Sequence, residues 1–105
     1  MRLNRPFEQA PPEWADKPYL YGQPHYKEFD DLQALRAYCK SWGVAIDNPI
    51  ACYLPQLNVV VTPSRKAWPS EREIQWLREH EEAHAKGWSH DEPGIVDWRA
   101  RMGLK

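Results

Sequence analysis

The chain has no apolar run near the ~18 residues that a membrane span requires, so no transmembrane helix is expected. Its opening stretch, MRLNRPFEQAPPEW, carries no apolar core of the kind a secretory leader has. Charge of one sign is also missing. Fourteen Lys and Arg stand against fifteen Asp and Glu, giving a formal net charge of −1. Neither nucleic acid nor an anionic membrane would be drawn to such a surface by a long-range field. Cysteine is scarce: Cys39 and Cys52 form no C-x-x-C pair and no disulfide framework. They read as two buried thiols in a reducing compartment, which places the protein in a cytoplasm, bacterial or phage-infected, with a virion-associated location also open. Internal repeats and low-complexity tracts are absent.

What the 105 residues do hold is aromatic mass, in six tryptophans, five tyrosines and two phenylalanines. Each ring buries a large area, which suits a single domain with one modest core. Prolines cluster in residues 1–28, with Pro11 beside Pro12 and Phe7, Trp14, Tyr19, Tyr21 and Tyr26 between them. Proline blocks helix interiors and central strands, so this segment reads as an extended arm. The aromatics suit it to packing on its own domain or on an assembly partner.

From residue 29 the pattern is α+β. Leu32, Leu35, Cys39 and Trp42 share one face of a helix expected over 31–42, capped by Asp30 and closed by Gly43. Short strands are expected at 44–46 and 50–54, separated by the turn Asp47-Asn48-Pro49. LNVVVT, at 57–62, is the strongest strand signal, and its continuous β-branched run suits a buried strand. A second helix is punctuated at both ends. Ser70 and Glu73 form a capping-box pattern, and Gly87 can take the left-handed conformation that stops a helix. After Gly87 the chain is turn-rich, with room for a short helical turn over 95–102.

Three of the four histidines fall within HEEAHAKGWSH, residues 80–90. His80 and His84, four apart on a helix, stand ~40° apart on one face. Imidazoles at that spacing can reach one metal ion at ~2.0–2.1 Å each. Glu81, on the flank of the same face, is near enough to touch a metal-bound water. Two histidines leave a metal underbound. The turn at Gly87 lets His90 swing back as a third ligand, with Asp91 as the alternative. Three nitrogens and an open fourth position make a catalytic zinc site, in which Glu81 serves as general base.

The string His80-Glu81-x-x-His84-x-x-Gly87-x-x-His90 resembles the extended zinc signature of the metzincin metallopeptidases at all five fixed positions. The resemblance implies zinc held by His80, His84 and His90, with Glu81 activating a zinc-bound water against a peptide bond. It also implies a minimal zincin-like domain over 29–105, of a bacterial or phage type, following an arm at 1–28. Strand 50–54 would be the edge strand that aligns a peptide substrate, with 57–62 inside it. Metzincin domains are usually longer and carry a methionine-bearing turn beneath the metal. Only Met102 is placed for that role here; otherwise it is a core or surface residue.

The remaining candidates are weaker. Asp97 can orient a ligand histidine or act as a surface or cap residue. Tyr53 can stabilise an oxyanion from the edge strand. His25 is isolated in the arm and suits the surface, and Trp88 suits packing beneath the metal loop. The competing function is a zinc-binding structural or assembly protein, such as a phage virion component, that does not turn over. Such a scaffold requires the histidines but not Glu81.

Overall fold

The computed structural model describes residues 10–46 and 48–88. His90, Asp91, Asp97 and Met102, and the expected turn at 95–102, lie outside them, as does Asp47. The described residues form an α+β fold. After a 3-10 turn at Pro12–Asp16, the order is β1 (His25–Phe29), α1 (Leu32–Ser41), β2 (Cys52–Leu54), β3 (Val59–Pro63) and α2 (Glu71–Ala85).

The strongest strand signal becomes the centre of the sheet. β3 lies between β1 and β2, parallel to the first and antiparallel to the second. Val61 meets Leu35 and Cys39 of α1 and Cys52 and Leu54 of β2 in the main core cluster. Val60 and Thr62, also buried, point to the opposite face by the alternation of a strand. A strand covered on both faces can only be apolar or hydrogen-bonded, which is why the run is continuous. The strand extends one residue further than expected, since Pro63 stands in register opposite Phe29 at its end.

Three expectations are corrected. The cap of α1 is Asp31, not Asp30: its carboxylate accepts the Ala34 amide hydrogen at 3.1 Å. Asp30 instead accepts the Ser64 hydroxyl at 2.6 Å. Residues 44–46 form no strand; Val44 belongs to the turn that closes α1, its amide donating to the Cys39 carbonyl at 3.2 Å. And the cysteines are not free thiols. Cys39 and Cys52 form a disulfide that ties α1 to β2 across 13 residues. Closing a loop of about this length contributes about 3 kcal/mol by restricting the unfolded chain. The thiol argument for a reducing compartment falls with it. No described helix is long and apolar enough to cross a membrane.

The segment expected to be arm ends in β1, a strand the sequence reading did not assign. Its side chains are mostly exposed, so it carries no hydrophobic period, and it is held by backbone pairing to β3. The described part of the arm lies along α2 of the same chain. The Leu20 amide donates to the Ala85 carbonyl at 3.0 Å. Lys86 Nζ donates to the carbonyls of Trp14 and Ala15, at 3.2 and 2.7 Å. Asn58, in the left-handed region at φ 52°, holds the next turn. Its amide nitrogen faces the carbonyls of Tyr21, Gly22 and Gln23 at 3.1, 3.3 and 3.4 Å.

Candidate metal centre

The helix that carries the histidines is fixed at both ends. Ser70 Oγ accepts the Glu73 amide hydrogen at 3.2 Å, as the capping pattern requires. The Glu73 carboxylate accepts the Trp68 indole N–H at 2.9 Å, which ties the first turn to the preceding loop. At the other end Gly87 takes φ +111°. The Trp88 amide reaches back to the Ala83 carbonyl and the Gly87 amide to the His84 carbonyl, both at 3.0 Å. This pair of bonds is a Schellman ending.

That ending builds one wall of the site. It folds Trp88 back so that its ring stacks on His84, centroids 4.9 Å apart and 26° from parallel. The same ring meets His80 edge-on at 5.3 Å. The Trp88 carbonyl oxygen lies 2.8 Å from His84 Nδ1. A carbonyl can only accept, so Nδ1 carries the hydrogen and Nε2 keeps its lone pair. Fixing a ligand histidine through its other nitrogen sets both tautomer and ring orientation. For His84 that task falls to a backbone group next to the helix-stopping glycine; Asp97, which the sequence offers for it, lies outside the described residues.

His80 Nε2 and His84 Nε2 converge to 3.2 Å. Two nitrogens bound to one tetrahedral ion at ~2.0–2.1 Å stand ~3.3 Å apart, so the pair is already close to the spacing a metal imposes. The donor atoms of His80, Glu81 and His84 all lie within 4.8 Å of one another, and the group could hold a metal ion. His80 and Glu81 are buried and His84 is half-buried. The three side chains open onto a cleft of about 370 Å³.

Glu81 has its pKa pushed up to about 8, by burial alone. Moving a carboxylate out of water penalises the charged form, and no cation among the described residues offsets the penalty. The consequence for the metal-free protein has a definite sign. Between the ordinary glutamate value of 4.5 and about 8, the folded state keeps a proton that the unfolded state has lost. Stability from this group is therefore complete below 4.5 and declines as pH rises through 8. Thermal melts of chelator-treated protein at pH 5 and pH 8 should show a fall for the wild type that Glu81→Gln lacks. Parallel pH dependences would mean that the carboxylate is solvated in solution.

Gly87 permits a second test. A Cβ there would sit 3.6 Å from Leu20 Cδ1, an ordinary contact, so the cost of Gly87→Ala is conformational. Holding alanine at a positive φ costs about 1–2 kcal/mol. The variant should melt earlier and bind metal more weakly, because the carbonyl that orients His84 sits on the next residue. Calorimetric zinc titration beside a thermal melt would show both effects. Weaker folding with unaltered affinity would separate the turn from the site.

Tyr53 lines the same cleft, but its hydroxyl donates to Asn58 Oδ1 at 2.7 Å, so its one hydrogen is committed unless the ring swings. His25 is exposed at the start of β1 and does not line the cleft. Comparison with protein-family models, with curated proteins and with solved structures finds no match to the chain.

Proposed function

We propose that the protein is a zinc-dependent peptidase that hydrolyses peptide bonds, with His80 and His84 as zinc ligands and Glu81 as general base. The observation that carries this reading is the convergence of the two Nε2 atoms at 3.2 Å, beside a buried carboxyl group, in an open cleft. His90 is proposed as the third ligand from the motif spacing, and Asp91 remains its competitor. A pair of imidazole ligands suits zinc better than magnesium or calcium, which prefer all-oxygen shells. Bound there, zinc would act as a Lewis acid that polarises a carbonyl and acidifies water near neutrality.

The chain supplies the rest. Trp88 holds His84 in the tautomer that presents Nε2. Burial keeps competing water away from Glu81, whose carboxylate would accept a proton from the attacking water and pass it to the leaving amine. β2 is an edge strand, paired only with β3 among the described strands. Cys52 and Tyr53 bring it to the cleft. An extended peptide can pair with such an edge through its backbone.

Incubating the full chain with zinc and a set of quenched fluorescent peptides, with and without chelator, tests the reading. Cleavage that chelator abolishes and zinc restores is expected. Stoichiometric zinc without cleavage of any peptide would move the site to a structural or assembly role, such as that of a virion component.

A further inference from the structure

Three large apolar side chains that the fold leaves in water meet at one place. Leu20 is 58% exposed, Tyr21 65% and Ile46 57%. All three line the cleft that holds His80, Glu81 and His84. Single exposed apolar residues call for no explanation, but a group of them around a reactive cluster marks a ligand surface. The described lining includes no Lys, Arg or Asp, and Glu81 is its one carboxyl group.

Both walls are anchored. On one side, Leu20 and Tyr21 sit on backbone held by Ala85 and by the Asn58 amide. On the other, Ile46 belongs to the segment between α1 and β2, whose flanks the Cys39–Cys52 disulfide ties together. Surfaces fixed in advance lose little entropy on binding, which is the property of a built subsite. The outer edge of β2, unpaired among the described strands, belongs to the strand whose Cys52 and Tyr53 line the cleft, and its backbone groups favour a peptide as occupant.

We infer that this cleft is a subsite for an uncharged aliphatic or aromatic side chain of a peptide substrate, flanking the bond that is cut, and that Tyr21 and Ile46 determine its specificity. The inference rests on the peptidase reading above. Leucine and phenylalanine fill apolar walls without desolvating a charge, whereas aspartate or lysine would lose water against Tyr21 and Ile46, and apart from the metal group the described lining has no charged side chain to offset that cost.

The test uses the zinc-loaded full chain and peptides that differ at one position beside the cleaved bond, carrying Leu, Phe, Asp or Lys. The Leu and Phe peptides should be cut with kcat/KM about tenfold or more above the Asp peptide. Ile46→Asp and Tyr21→Ala should reduce that preference, largely through KM, with zinc content unchanged. Both positions are exposed, so neither substitution threatens the fold. Equal cleavage of all four peptides would overturn the inference while leaving the peptidase reading intact. If none is cut, the peptidase reading fails, and calorimetry of the same peptides judges the subsite alone. Tighter binding of Leu and Phe peptides sustains it, and equal or absent binding overturns it. A dimer in sedimentation that Ile46→Asp disperses would also overturn it, because a second copy would then occupy the cleft.

Discussion

Glu81→Gln is expected to lower peptide hydrolysis by about 10²–10⁴-fold while leaving zinc content unchanged. The two side chains have nearly the same shape, so the amide should fit the buried position with little effect on packing. What it lacks is a site for a proton. In the metal-free chain burial pushes the carboxyl up to about 8, so at neutral pH most of it is protonated and no base is present. A dication within a few ångströms reverses that preference by favouring the charged form. On the proposed reading, metal loading would therefore create the general base, and activity should follow zinc occupancy. The competing role for Glu81 is that of a ligand, because its oxygen lies within 4.8 Å of both imidazoles. Elemental analysis separates the two. Lost hydrolysis with retained zinc identifies the base, zinc lost together with hydrolysis identifies a ligand, and retained hydrolysis removes Glu81 from the chemistry.

The parts of the fold that were legible in the sequence are those in which local chemistry and tertiary packing agree. α2 was readable because Ser70 caps it, Gly87 stops it, and nothing between them opposes a helix. β3 was readable because a strand buried on both faces must be apolar or hydrogen-bonded along its length, and LNVVVT is mostly β-branched and apolar. The pairing of His80 with His84 followed from helix geometry alone. Where the sequence misled, the deciding contact was non-local. β1 has exposed side chains and exists through its backbone pairing with β3, for which HYKEF carries no periodic signal. The Cys39–Cys52 bond depends on α1 packing against β2, and spacing alone cannot reveal it. Val44 sat in an apolar triplet that suggested a strand, but the left-handed Gly43 directs its amide into the helix ending.

The candidate site divides in the same way. That His80, Glu81 and His84 gather at one candidate site was visible in HEEAHAKGWSH. How they are held was not, because the His84 orienter is a main-chain carbonyl, and every residue has one. The only available signal was Gly87: a helix-stopping glycine implies that the following residue turns back over the last turn, and that residue is an aromatic. The cleft walls were hidden for a different reason. Tyr21 and Ile46 are far apart in sequence, and they become neighbours of the histidines only when the arm lies along α2 and the disulfide ties the flanks of the 40–51 loop.

His84→Ala should abolish stoichiometric zinc binding, with affinity falling by more than about 100-fold. Disturbing the groups that merely orient a ligand histidine typically costs about 10–100-fold, and removal of the ligand itself should exceed that. The substitution removes one of the two nitrogens that already stand 3.2 Å apart, and with it the ring on which Trp88 stacks. Among the described residues only His80 and Glu81 of the group then remain. Stability supplies a readout independent of catalysis. A ligand that binds only the folded state stabilises it by about 2.7 kcal/mol at a hundredfold excess over Kd. Zinc should therefore raise the Tm of the wild type and leave that of His84→Ala where it was. His25→Ala is the control, since that histidine is exposed and does not line the cleft. Its Tm should rise with zinc as the wild type's does. If His84→Ala responds to zinc as strongly as the wild type, the ion is held elsewhere and the proposed centre is wrong. If the wild type does not respond, the two imidazoles form a hydrogen-bonded pair at a helix end and hold no metal.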